Sequence, residues 1–314
     1  MSVVFLGTSE FAAGVLERLA GSDARRPALV LTRPDRPSGR GRRSSPPPVA
    51  VRARELGLPL AQPERVNDPQ ARAMIAAAAP DAGARQTVVV CAFGALIREP
   101  LLSEHELVNV HPSLLPRWRG AAPIERALMA GDERTGVSIM RLTEGLDDGP
   151  VCLVESEPIA AEDDFGSLAD RLQPLAGELL LRALDERPPY HPQDERGVSY
   201  AEKITAEDRL LDPARSAAEL ERTVRALHPH IGARLALADG SLLGVGRARV
   251  LDAGSPAEGG GAAGEPPSGL LVDEGRLVLR CGSGALELLV VKPPGGRAMD
   301  AAAYLRGHAQ PGRR

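Results

Sequence analysis

Thr87-Val88-Val89-Val90-Cys91-Ala92-Phe93 is the most strand-like run of the chain. Three consecutive valines lose rotamer freedom in a helix but suit a pleated surface. The run is apolar at nearly every position, so both of its faces are predicted to be buried, as in a sheet covered on two sides. Working outward, the pattern repeats. Downstream, 107–111 reads as extended, 122–130 as helical and 136–143 as extended. Upstream, 3–7 (Val-Val-Phe-Leu-Gly) reads as a buried strand. Thr8 or Ser9 is placed to cap a helix over 10–20, where Phe11, Val15, Leu16 and Leu19 share a face. A second strand is predicted at 28–32, and helices at 49–56 and 68–79. Residues 33–48 are mostly Arg, Pro, Gly and Ser, which predicts a loop. Short apolar strands alternating with helices predict an α/β fold with an open, mainly parallel sheet. Such sheets place their sites at the C-terminal ends of the strands, where Gly94, His111 and Asp147 fall.

The second half changes character. Helices are predicted over 166–186 and 216–228, with a Pro-rich polar stretch, 187–215, between them. Beyond 232 come short strands at 233–237, 242–251, 269–273, 276–281 and 285–292, with no helix among them. Five such strands predict a small OB-like β-barrel domain. The Gly/Pro/Ala segment 254–268 interrupts it as a low-complexity loop. A length of 314 residues fits two domains. The boundaries expected are 1–190 for the first domain, 191–214 for a linker and 215–314 for the second.

Apolar residues make up 43% of the chain and charged residues 25%, which excludes extended disorder. No apolar run approaches the ~18 residues of a membrane span. The start, Met1-Ser2-Val3-Val4-Phe5-Leu6-Gly7, lacks the basic and long apolar regions of a secretory leader. Cys91, Cys152 and Cys281 are too far apart for a metal knuckle or a disulfide framework, and are expected as reduced core residues. A cytoplasmic protein without membrane contact is expected. Only Lys203 and Lys292 are lysines, so arginine supplies nearly all basic charge. Its distribution is uneven. Residues 25–54 hold nine arginines and one acid, Asp35, in a chain of net charge −4. A local polyanion contact fits that concentration, and so does a merely solvated basic loop.

The first strand ends in Gly7-Thr8-Ser9-Glu10-Phe11-Ala12, which is not GxGxxG, and no phosphate-binding GxxxxGK[ST] occurs. A dinucleotide or nucleoside triphosphate is therefore poorly supported. The chemistry-bearing residues gather in Asn109-Val110-His111-Pro112-Ser113-Leu114-Leu115-Pro116-Arg117-Trp118-Arg119-Gly120-Ala121-Ala122-Pro123. On a strand, Asn109 and His111 point to one face, an amide beside an imidazole. Taken alone, these residues equally well cap a strand end. Glu144-Gly145-Leu146-Asp147-Asp148-Gly149-Pro150 supplies two carboxylates between glycines, which by itself is an ordinary turn.

Together, Asn-x-His-x-Ser-Leu-Leu-Pro and, about 30 residues later, Gly-Leu-Asp-x-Gly resemble the formyltransferases that use 10-formyltetrahydrofolate. Ser113–Ile124 looks in particular like the methionyl-tRNA formyltransferases. Phe5-Leu6-Gly7-Thr8 with Phe11-Ala12, Pro34–Arg42, Tyr200–Ile204, and Leu220-Glu221-Arg222 with Arg225-Ala226 agree with them. The resemblance spans both expected domains. It implies a Rossmann-like first domain and a tRNA-binding second one. It implies formyl transfer from 10-formyltetrahydrofolate to the α-amine of methionine on initiator methionyl-tRNA, without a metal and in a monomer.

By the same resemblance, Asn109 and His111 donate to a tetrahedral oxyanion while Asp147 holds the imidazole. The folate lies along Ser113, Leu114, Leu115 and Pro116 and against Phe93, Gly94 and Leu96. Arg36, Arg40, Arg42 and Arg43 meet tRNA, with Arg40 at the tip between Gly39 and Gly41. The chain departs from the pattern it resembles in three places. Residues 81–86 read as an insertion, Phe93 replaces a common Tyr, and 228–234 lack a common Trp. Two other readings remain: a formyltransferase for a small amine such as an amino sugar, and a non-catalytic RNA- or folate-binding protein. The basic loop and the second domain argue against the former. The presence of Asn109, His111 and Asp147 together argues against the latter.

Overall fold

The computed structural model describes residues 3–38, 43–78, 86–251 and 269–307. Two compact units divide the chain. The first holds Met1–Pro123, Arg134–Pro158 and Ala169–Glu202; the second holds Ile124–Glu133, Ile159–Leu168 and Lys203–Arg314.

In chain order the elements begin with β1 (Val3–Gly7), α1 (Glu10–Ala20), β2 (Pro27–Leu31), β3 (Arg36–Ser38), β4 (Arg43–Ser45), α2 (Pro48–Glu55), β5 (Leu60–Ala61) and α3 (Pro69–Ala77). They continue with β6 (Thr87–Cys91), α4 (Leu101–Glu104), β7 (Glu106–His111), β8 (Arg119–Gly120), α5 (Pro123–Ala130), β9 (Arg134–Arg141), β10 (Val151–Pro158), α6 (Phe165–Glu186) and β11 (Tyr200–Ala201). The remainder is α7 (Ala217–Leu227), β12 (Ala233–Ala236), β13 (Leu242–Val250), β14 (Leu270–Asp273), β15 (Arg276–Arg280), β16 (Ala285–Lys292), β17 (Met299–Asp300) and α8 (Ala301–Gly307).

The first unit is built on a seven-stranded sheet in the order β10-β9-β7-β6-β1-β2-β5. The pairs among β5, β2, β1, β6 and β7 are parallel, while β7–β9 and β9–β10 are antiparallel. This is the Rossmann-like arrangement expected. β1 and β6 are buried at every position, as continuous apolar runs demand. On one face Val4, Leu6, Leu31, Val88, Val90, Leu101 and Leu107 form a core cluster. Ser9 caps α1 by accepting a hydrogen bond from the Ala12 amide at 3.2 Å.

Several elements escaped the sequence pattern, among them β3, β4, β10 and the short α4 and α8. The expected loop 33–48 contains the antiparallel hairpin β3–β4, with Arg36 opposite Ser45. Backbone pairing in so polar a stretch leaves no apolar alternation to read. β10 is a half-exposed edge strand carrying Glu155 and Glu157, a polarity that blunts sheet edges.

The second unit carries an antiparallel sheet in the order β12-β13-β16-β15-β14, with β17 paired to β16. Alternate residues point inward: Leu243 and Val245, Leu277 and Leu279, Leu286 and Leu288 join Leu220, Val224 and Leu227 of α7 in one core. Ser216 and Glu219 close a reciprocal capping box at the start of α7. Among the described residues the ladder stays open, with no pairing between β12 and β14, so a closed barrel is not formed by them. The expected loop 254–268 and the 81–85 part of the expected insertion lie outside the described residues. Within the expected linker, β11 pairs in parallel with β8. Cys91 and Cys281 are buried and Cys152 half-buried, all as free thiols. Burial pushes the Cys281 thiol up to about 11.

Candidate active site

β7 ends the parallel part of the sheet. Asn109 and His111, two residues apart, therefore share a face beside the antiparallel β9, opposite Met140 and Ser138. Both are buried, Asn109 to 8% exposure and His111 to 4%. The β9–β10 turn returns Asp147 to them. Asp147 Oδ1 accepts from Asn109 Nδ2 at 3.4 Å, and Oδ2 accepts from the Gly120 amide at 2.8 Å. His111 Nδ1 stands 3.6 Å from Asp147 Oδ2, close enough for charge attraction but too long for a hydrogen bond. The three residues expected to form a catalytic group are thus brought together.

His111 Nε2 lies 2.8 Å from the Trp118 carbonyl. A carbonyl only accepts, so Nε2 carries the proton and donates. That bond fixes the ring and leaves Nδ1 as the edge facing Asp147. The two acids of the turn are also told apart. Asp147 faces inward with its side chain 14% exposed, whereas Asp148 is exposed and accepts from the Thr143 hydroxyl.

The backbone at this edge is unusual. Ala92, Trp118 and Asp147 have positive φ, at 43°, 65° and 49°. Non-glycine residues in that region cost ~1–3 kcal/mol each and persist only where surroundings hold them. Gly120 is required: its φ is 127°, and a Cβ there would stand 2.6 Å from the Ala201 carbonyl oxygen.

The surroundings that hold this backbone were not legible in advance. Ser138 donates to the Ser113 carbonyl at 2.7 Å and accepts from the Leu115 amide at 3.1 Å, pinning the turn to β9. The Trp118 amide donates to Ser199 Oγ at 3.0 Å. Gln193 bonds the Asp147 and Gly149 carbonyls, and accepts from Arg119 Nε at 3.0 Å. Gln193 and Ser199 fall in the stretch read as linker, where no periodicity marks a polar side chain that bonds a distant backbone.

The residues expected against folate divide. Leu114, Leu115 and Pro116 are half-buried on the turn after β7. Ser113 is fully buried and its hydroxyl donates to the Arg117 carbonyl at 2.7 Å, so it closes the turn. The Phe93 ring is 4% exposed and packs in the core cluster, so it supports the 93–96 turn from beneath. Gly94, at φ 75°, and Leu96, 68% exposed, form the turn's outer surface. Thr8 Oγ1 donates to the Phe93 carbonyl at 2.7 Å, and Asn67 Nδ2 to the Leu96 carbonyl at 2.9 Å. Both turns leave the same edge of the sheet, from the neighbouring strands β6 and β7.

Much of the basic segment is structural. Arg25 pairs with Asp185, Arg52 with Glu17 and Glu55, and Arg26 and Arg33 donate to backbone carbonyls. Arg36 is exposed on β3. Arg40 and Arg42 lie outside the described residues, and so does the side chain of Arg43. Among the described residues no three His, Cys, Asp or Glu side chains group as a metal site, and no helix is long and apolar enough to cross a membrane.

Residues 1–184 match the family described as formyl transferase, and 203–309 match the formyl transferase C-terminal domain. A methionyl-tRNA formyltransferase of Halorhodospira halophila is 44% identical over 313 residues, covering 97% of this chain and 96% of that protein. One of Cereibacter sphaeroides is 42% identical over 316 residues, covering 99% and 97%. The crystal structure of HypX from Aquifex aeolicus in complex with tetrahydrofolic acid superposes with a TM-score of 0.60 at 18% identity. It covers 97% of this chain, which spans about half of the HypX chain, at 47%. The chain belongs to the formyl transferase family and, within it, to the methionyl-tRNA formyltransferases.

Proposed function

We propose that Asn109, His111 and Asp147 carry the transfer of the formyl group of 10-formyltetrahydrofolate to the α-amine of methionine on initiator methionyl-tRNA. The methionine amine attacks the formyl carbon and a C–N bond forms. The carbonyl oxygen becomes a tetrahedral oxyanion. Its collapse breaks the bond to the folate N10, which takes up a proton while the amine gives one up. Asn109 Nδ2 and the Nδ1–H of a charged His111 are the donors that meet the oxyanion, each worth ~10²–10³ in rate. The Asp147 carboxylate offsets the imidazolium charge and orients the amide.

One observation carries this reading. His111 Nε2 is committed to the Trp118 carbonyl, so the ring's other nitrogen is turned toward the Asp147 carboxylate beside an amide donor. The exposed Leu96 and the half-buried Leu114–Pro116 turn supply an apolar surface suited to a flat pterin. Arg36, Arg40, Arg42 and Arg43 are assigned to phosphates of the tRNA acceptor end, on the charge concentrated in 25–54. We assign formyl transfer to 1–190 and tRNA contact to 215–314 as well, and place the reaction in the cytoplasm with charged tRNA. The test is formyl transfer from 10-formyltetrahydrofolate to initiator and elongator methionyl-tRNA side by side, with an amino-sugar nucleotide as a third acceptor. Transfer to the initiator in preference to the elongator is expected. Transfer to the sugar amine alone would overturn the reading.

A further inference from the structure

Gln193 sits where no motif marks it, yet its amide makes three hydrogen bonds at the edge of the candidate active site. Nε2 donates to the carbonyls of Asp147 and Gly149, both at 2.8 Å, and Oε1 accepts from Arg119 Nε at 3.0 Å. The partners leave the amide one orientation. A guanidinium N–H only donates, so the oxygen faces Arg119. Carbonyls only accept, so both amide hydrogens face the 147–149 backbone.

Arg119 is itself 5% exposed, and its neighbour Gly120 donates its backbone N–H to Asp147 Oδ2 at 2.8 Å. Residues 119–120 therefore hold Asp147 twice, through the Gly120 amide on the carboxylate and through Gln193 on the backbone. That backbone needs a restraint. Asp147 has φ 49°, and Gly149 packs so tightly that a Cβ would collide with the Arg141 carbonyl.

We infer that Gln193 is a positioning residue, which fixes the 147–149 backbone so that the Asp147 carboxylate meets Asn109 and His111. The inference rests on the catalytic role assigned above to Asp147. Displacing a catalytic group by about 1 Å can cost ~10²-fold in rate, so a clamp two bonds strong on the carrier backbone is enough to matter.

Gln193→Glu is the sharp variant. It keeps the shape and the acceptor for Arg119, but sets a carboxylate oxygen against two carbonyls. Gln193→Met keeps the approximate length and removes every bond. Turnover is measured per folate-binding equivalent, so that any misfolded fraction drops out. Both variants are expected to lose ~10–10²-fold in kcat with KM for tRNA and folate within about twofold. For Gln193→Glu alone, the deficit relative to the parent enzyme narrows toward acid pH, where a protonated carboxyl again donates to one carbonyl. In an Asp147→Asn background, Gln193→Glu costs less than about twofold more, because it acts through the group already lost.

Equal losses in both backgrounds, or a loss carried by KM, would make Gln193 a structural residue only and overturn the inference. Parent-like turnover of both Gln193 variants, with Asp147→Asn impaired, would also overturn it and leave the site assignment standing. Parent-like turnover of Asp147→Asn would overturn that assignment, and the inference with it.

Discussion

Asp147→Asn removes one charge and one hydrogen-bond acceptor. The amide oxygen of the substituted side chain can still accept from the Gly120 N–H, which the native carboxylate holds at 2.8 Å. The side chain's NH2 then faces Asn109 Nδ2, from which the native Oδ1 accepts at 3.4 Å, and the larger loss is the attraction between the carboxylate and an imidazolium whose Nδ1 stands 3.6 Å away. Two unit charges at that separation attract by ~1 kcal/mol in water and ~4–5 kcal/mol at an effective dielectric of about 20. The His111 and Asp147 side chains are only 5% and 14% exposed, which favours the stronger end. A loss of ~3 kcal/mol corresponds to ~10²-fold in kcat. Without that attraction the ring gives up its Nδ1 proton, and with it the donor to an oxyanion that forms only in the transition state, so KM should stay within about twofold. The assay is single-turnover formylation of charged initiator tRNA at saturating folate, with circular dichroism to verify the fold. Turnover within about threefold of the parent in a folded variant would refute the electrostatic role.

His111→Ala should lower kcat by at least ~10²-fold, and His111→Asn should recover part of that if a neutral donor suffices; single-turnover formylation of both variants decides it, and equal losses would show that the ring's charge is indispensable. Arg40→Ala, Arg42→Ala and Arg43→Ala should each flatten the log–log salt dependence of tRNA binding by roughly 0.7–0.9 per lost phosphate contact, with folate affinity unchanged; weaker folate binding with intact tRNA binding would overturn the assignment of this loop. In the second unit, Asp208 accepts from both Arg126 Nη atoms at 2.8 and 3.0 Å, and that pairing holds its carboxyl at about 2, against an ordinary 3.8. A depressed carboxyl stabilises the fold above its unfolded value and stops doing so as pH falls through its folded one. Asp208→Asn should therefore cost ~1–2 kcal/mol at pH 7, and the gap should close between about pH 4 and 2; denaturant titrations across that range would refute this if the gap persisted at the lowest pH.

The parallel strands were legible because burial on both faces forces continuous apolar runs, and Thr87–Cys91 and Val3–Gly7 can do little else. α1 was legible from the spacing of Phe11, Val15, Leu16 and Leu19 and from the cap at Ser9. Asn109, His111 and Asp147 were legible only as a pattern shared with a family, since each alone is an ordinary strand end or turn. β9 runs antiparallel to β7 and ends beside Val108, and the turn to β10 then folds back so that Asp147 reaches Asn109 and His111.

By itself, then, the order of residues determined the alternation of elements, the strand ends that bear chemistry and the family to which they belong. Those properties are written in local periodicity and in motifs of a few residues. Only the tertiary structure decided that Phe93 supports its turn from within the core, that the Ser113 hydroxyl closes a turn, and that Gln193, Ser138 and Ser199 hold the reactive edge. Apart from the local Ser113–Arg117 bond, these are hydrogen bonds and packing contacts across tens of residues of chain. A polar side chain in a linker-like stretch carries no local mark of the backbone carbonyl it will meet.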